Sequence, residues 1–85
     1  MDRGMAQTMK ICIDADDAAI RLKKVLYEHL KSQGADITDL DYAAHHSDPY
    51  YGEIGFNLAR EIQAGRYDRG ILICGTGLGM AMIAN

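Results

Sequence analysis

The chain has 85 residues, 48% of them hydrophobic and 25% charged, with a formal net charge of −3. That length suits one small globular domain and leaves no room for separate catalytic and regulatory lobes. The acidic balance argues against a nucleic-acid partner, which calls for a basic face, but leaves anionic substrates open, because local dipoles can hold a phosphate. No apolar run approaches the ~20 residues that span a bilayer, so no membrane role is expected. Residues 1–8 (MDRGMAQT) lack the apolar core of a signal peptide and read as a disordered start or a cloning remnant, with the domain itself at 9–85. Two cysteines without a targeting segment fit a reducing cytoplasm better than a disulfide framework.

In chain order, Met9 to Ile13 (MKICI) is a short apolar run that reads as a buried strand. Asp14, Ala15, Asp16 and Asp17 end it and supply a helix N-cap. Apolar residues at Ala18, Leu22, Val25, Leu26 and Leu30 then follow the 3.6-residue rhythm of an amphipathic helix. Arg21, Lys23, Lys24, Glu28 and Lys31 fall on its other, solvated faces, and Gly34 supplies the stop. Ala35 to Leu40 reads as a second strand and Asp41 to Gly52, with the sole proline at 49, as a loop. Ile54, Leu58, Ala59 and Ile62 mark a second helix closed by Gly65. Arg69 to Cys74 (RGILIC) is a third, strongly apolar strand; a glycine-rich turn follows, and Met80 to Asn85 is expected to begin a third helix.

This β-α-β-α-β-turn-α order implies right-handed crossovers and a parallel sheet covered on both faces, a Rossmann-like doubly wound α/β/α fold. A flavodoxin-like strand order would place the first strand between the second and third, opening a ligand crevice at the carboxyl ends of strands one and three. Two segments would meet there, Asp14-Ala15-Asp16-Asp17 and Cys74-Gly75-Thr76-Gly77-Leu78-Gly79. A chain stopping in mid-helix, with a third strand lacking a further partner, is expected to be truncated. Taken alone it should be inactive and prone to aggregate through that strand edge.

Glycines at 75, 77 and 79 allow close approach of the backbone to a ligand, with N–H groups at a helix start facing negative charge. The spacing fits neither a dinucleotide fingerprint, since position 80 is Met, nor a P-loop, since no lysine follows. A tight turn without a ligand stays open on the glycines alone. Position also leaves two readings of Cys74: a thiol activated at a helix N-terminus to accept a proton from carbon, or a small buried hydrophobe. Cys12, inside the first strand, reads as core. His45, His46 and Asp48 read as solvated and not as a metal site, Tyr50 and Tyr51 as crevice mouth or helix packing, and Met80 and Met82 as core or dimer contact.

Together, KICIDADDAAIRLK and RGILICGTGLGMAMIAN resemble the ribose-5-phosphate isomerase B and galactose-6-phosphate isomerase family, from about Met9 to Asn85. The resemblance implies a homodimer with a shared active site, no cofactor, and metal-independent interconversion of aldose and ketose phosphates through a cis-enediolate. It implies Cys74 as the base moving a proton between C1 and C2, Gly75 to Gly79 (with Gly77 and Leu78) as the main-chain anion hole, Thr76 as a substrate-assisting side chain, and Asp16 as a sugar contact. The family's usual opening is G-S-D-H-A-G, where this chain has Asp14, Ala15, Asp16, Asp17, Ala18 and Ala19. Asp17 therefore stands where a histidine meets the substrate's phosphate; it either caps the helix and points away, or the substrate sits differently. Phosphate-binding arginines and a ring-opening histidine belong to the family's later half. The expected substrate is a small sugar phosphate of the ribose 5-phosphate type. The alternatives are a tetrulose 4-phosphate, which cannot close a furanose ring, galactose 6-phosphate, or a non-catalytic phosphosugar-binding subunit.

Overall fold

The computed structural model describes residues 9–46, 51–75 and 79–84. Strand β1 runs Lys10–Ala15, and a 3-10 turn at Asp17–Ala19 leads into helix α1, Ile20–Ser32. Strand β2 (Asp36–Asp39), short helix α2 (Tyr42–His45), helix α3 (Tyr51–Gln63), strand β3 (Arg69–Cys74) and strand β4 (Gly79–Ala84) follow. The sheet order is β2-β1-β3-β4. β1 is parallel to β2, with Lys10 opposite Asp36, and parallel to β3, with Ile11 opposite Arg69 and Ala15 opposite Ile73. The expected placement of the first strand between the other two holds.

Strand alternation splits the core into two layers. Ile13, Ala15, Ile37, Ile71 and Ile73 join Ala19, with Leu26, Tyr27 and Leu30 of α1 packed against them. Cys12 faces the other way and packs with Leu58 and Ile62 of α3, flanked by Leu40, Tyr67 and Leu72. Each fully buried isoleucine or leucine contributes roughly 1.5–3 kcal/mol. Both long helices end in the same way. Gly34 (φ 89°) and Gly65 (φ 83°) take left-handed conformations that disfavour side chains. Ala35 N then donates to Leu30 O and Arg66 N to Glu61 O, closing a Schellman motif at each end.

Four expectations need correction. β1 continues through Asp14 and Ala15, both buried, because pairing with β3 persists to Ala15. The inner face of α1 is turned by one residue: Ala19 and Lys23 are buried, whereas Leu22 and Val25 are 57% and 65% exposed. Lys23 is drawn inward by carboxylates, so it is not part of a solvated face. Finally, Gly79–Ala84 is a strand antiparallel to β3, with Cys74 opposite Gly79, and not the start of a helix. A short apolar run suits either state, and here the free main-chain groups along β3 decide for the strand. The edge of β3 expected to lack a partner is thereby covered. The Asp41 to Gly52 region also holds more helix than the expected loop, with α2 inside it and α3 starting at Tyr51.

Candidate active site

At the carboxyl ends of β1 and β3 the backbone pairing extends one step further, Asp16 N donating to Ile73 O at 3.3 Å. Asp16 is extended (φ −78°, ψ 175°) and caps the 3-10 turn, its Oδ1 accepting from Ala19 N at 3.1 Å. The same carboxylate accepts from Gly75 N, at 3.0 Å to Oδ1 and 3.2 Å to Oδ2. One side chain therefore joins the turn after β1 to the turn after β3. The two backbones are in close contact, since a Cβ on Gly75 would stand 2.3 Å from the Ala18 Cβ and 2.9 Å from the Ala18 carbonyl carbon. Only glycine fits.

Cys74, the last residue of β3, is half-buried and carries a free thiol directly before this junction. Because β4 follows the turn, no helix N-terminus succeeds Cys74 among the described residues, and the helix-dipole argument for its activation falls away. The Gly75 amide, expected in the anion hole, is directed at Asp16. Asp17 is exposed in the first 3-10 position. The cap is Asp16 and not Asp17, whose charge nevertheless suits the start of a helical turn. Thr76, Gly77 and Leu78 lie outside the described residues, and Gly79 opens β4.

A second cluster, not foreseen from the sequence, adjoins the first. Lys23 is 4% exposed and its Nζ lies 3.0 Å from Asp39 Oδ1 and 3.5 Å from both Asp14 Oδ1 and Asp41 Oδ1. Asp14 is fully buried, and its carboxylate accepts from Ala15 N at 2.8 Å and Tyr42 N at 3.0 Å. Burial pushes the Asp14 carboxyl above the usual range, outweighing those two hydrogen bonds and the attraction of Lys23. Burial also works to lower the Lys23 pKa, but the hydrogen bond and charge of Asp39, then the charges of Asp14 and Asp41, prevail and raise it. The available signal was the spacing of Lys23 from Ala19, Leu26 and Tyr27, which sets it on one helical face with them.

Other singled-out residues fall into place more simply. Cys12 is fully buried with its Sγ 3.7 Å from Arg69 O, and burial, then the charge of Glu61, pushes its thiol up to about 11. The His46 ring stacks on Tyr42 at 3.7 Å, with Nδ1 3.0 Å from Tyr42 O. Asp48 and Tyr50 lie outside the described residues. Among the described residues no group of three or more His, Cys, Asp or Glu is arranged to hold a metal ion, and no helix is long and apolar enough to cross a membrane.

The sequence model of the Ribose/Galactose Isomerase family matches residues 11–85. The chain belongs to that family. It is 42% identical over 77 residues to a D-erythrulose-4-phosphate isomerase of Pectobacterium atrosepticum, covering 91% of this chain and 51% of the relative. It is equally identical, with the same coverage, to a ribose-5-P isomerase B of Listeria innocua. The solved structure of ribose-5-phosphate isomerase B from Clostridium thermocellum superposes with a TM-score of 0.69 at 38% identity, covering 84% of this chain and 47% of that one. The family fold is thus the one observed here. The chain spans about half the length of the curated relatives it matches.

Proposed function

We propose that the protein carrying this chain is an aldose–ketose isomerase for a small sugar phosphate. The observation that carries the reading is the Asp16–Gly75 junction, which fixes the residue after Cys74 at the crevice between two parallel strands. Such crevices are where open α/β sheets bind ligands. The relatives named ribose-5-P isomerase B and D-erythrulose-4-phosphate isomerase support the same reaction class. In this reading the Cys74 thiolate takes a proton from the carbon beside the substrate carbonyl. In the same reading the resulting cis-enediolate is held by main-chain amides of residues Thr76 to Gly79, with Thr76 assisting by its side chain. The hydroxyl proton passes from one enediolate oxygen to the other, the carbon-derived proton returns to the neighbouring carbon, and the carbonyl has moved by one position. Asp16 retains acceptor capacity on Oδ2 for a sugar hydroxyl. A cytoplasmic homodimer with a shared site belongs to the same proposal, and light scattering on the native protein checks it.

The test is Cys74→Ala in the full-length native protein. Isomerase turnover should fall by about 10²–10⁴-fold while the sugar phosphate still binds. Unchanged turnover would remove Cys74 from the chemistry, and the protein would then be read as a phosphosugar-binding subunit.

Between substrates, one feature favours a four-carbon sugar 4-phosphate over a pentose phosphate. Asp17 puts a carboxylate where the family's usual histidine meets phosphate, and at 4 Å the repulsion is about 1–4 kcal/mol. Asp17→His should raise kcat/KM for ribose 5-phosphate about tenfold relative to erythrulose 4-phosphate. A native enzyme that already prefers the pentose would end the four-carbon reading.

A further inference from the structure

Lys23 is the one charged residue among the described residues that is both cationic and buried, and it faces three carboxylates at the carboxyl ends of β1 and β2. Buried ion pairs add little net stability compared with apolar residues of similar volume, and in some proteins they select one arrangement over others. What is fixed here is the segment after β2. Leu40 N donates to Ile13 O at 3.0 Å, carrying the strand pairing past Asp39. Asp41 then turns into the left-handed region (φ 47°, ψ 51°), which is costly for a residue with a side chain. That turn is held from three sides: Asp41 N donates to Asp39 Oδ1 at 3.0 Å, Lys23 reaches Asp41 Oδ1, and Tyr42 N donates to Asp14 Oδ2. From there α2 begins, with His46 stacked on Tyr42.

We propose that Asp14 and Lys23 are positioning residues for the substrate crevice. Their buried pair, extended by Asp39 and Asp41, latches the Asp41–His46 segment onto the carboxyl end of β1, the strand that leads directly into Asp16. The site already described uses Asp16, two residues along the same strand end, so a shift of the latch is felt beside the substrate. Asp14 stands where the resembled family's usual opening has glycine. Asp14 touches no open space, which makes its action indirect.

The inference rests on the isomerase reading for its kinetic half only. In the native protein, Lys23→Met keeps most of the aliphatic stem and removes the charge, and Asp14→Gly restores the family's residue. Each should raise KM for the sugar phosphate about tenfold while kcat stays within about twofold. Each should also speed amide exchange at Tyr42 at least about tenfold, with local exchange at Gly65 and Arg66, in the closing turn of α3, little changed. If either variant fails to fold, Asp41→Asn takes over, because it lies on the exposed rim and asparagine tolerates the left-handed turn. It should move both readouts in the same direction. A lower kcat at unchanged KM, or Tyr42 exchange that does not move, overturns the latch. If the native protein isomerises neither pentose nor tetrulose phosphates, the isomerase reading is what fails, and Tyr42 exchange alone decides the latch.

Discussion

Asp16 holds Gly75 by both carboxylate oxygens, at 3.0 and 3.2 Å from a single main-chain nitrogen, while Oδ1 also receives Ala19 N. Hydrogen bonds to an ionised acceptor are worth about 1.5–3 kcal/mol, and loss of an N-cap about 1 kcal/mol. Asp16→Ala should therefore destabilise the protein by about 2–4 kcal/mol in urea unfolding, and Asp16→Asn by roughly half of that. Turnover should fall further than stability explains, by about 10²-fold, because the residue beside Cys74 loses its anchor. Asp16→Ala with normal stability would show that the junction is held by other contacts.

Gly75→Ala should be among the most damaging small substitutions in the chain. The new methyl would meet Ala18 Cβ at 2.3 Å and the Ala18 carbonyl carbon at 2.9 Å, and backbone atoms cannot step aside as a flexible side chain does. Overpacking of this kind costs about 1–3 kcal/mol or more. Ala18→Gly, added to Gly75→Ala, should recover only part of the loss, since the clash with the carbonyl carbon remains. Full recovery by the double variant would mean that the Cβ contact alone sets the spacing.

The two thiols should separate cleanly with pH. Burial raises the Cys12 thiol from 9.0 to about 11, so the folded state holds its proton more tightly than the unfolded chain. Stability from the neutral thiol is then fully present below pH 9 and is lost as pH rises through 11. Relative to Cys12→Ala, the wild type should lose roughly 2–3 kcal/mol over that range. At pH 8, iodoacetamide should modify half-buried Cys74 well before Cys12. Faster labelling of Cys12 would contradict its place under α3.

Lys23→Met leaves Asp14 buried without its cation and should cost about 3–5 kcal/mol at neutral pH. The double variant Lys23→Met/Asp14→Asn should cost less than the single one, revealing the coupling. Lys23 has its pKa raised in the folded state, so its contribution is complete below pH 10.5 and is lost as pH rises past the raised value. Asp14 is raised as well, so its protonated form favours folding, and that contribution disappears as pH climbs from 3.8 through the raised value. The cost of Lys23→Met, measured by urea unfolding against pH, should accordingly shrink at both ends of the range. A pH-independent cost would mean that Lys23 acts through its aliphatic stem alone.

Much of the framework could be read from the chain because it rests on local rules. Gly34 and Gly65 announced two helix ends that the structure closes in one way, and Arg69–Cys74 was bounded correctly by its apolar run. The order of strands followed from connection handedness. What escaped depends on partners far along the chain. Lys23 looks solvated until Asp14, Asp39 and Asp41 surround it, and that inversion turns α1 so that Leu22 and Val25 face outward. The state of Gly79–Ala84 was likewise undecided by its own residues and fixed by the free edge of β3. At the candidate site, Cys74 and Asp16 were legible as neighbours, but the engagement of the Gly75 amide by Asp16 required three-dimensional placement.

The partners in the Asp16–Gly75 junction lie 59 residues apart in sequence. Contacts of such long range form only after the intervening chain has lost its freedom, and loop closure makes them late events in folding. A ribosome-bound chain that has made only its first strand–helix–strand unit holds an aspartate that can cap its own turn but has no Gly75 to grasp. The junction at the candidate site is therefore a product of completed folding, and it is absent from a half-built protein.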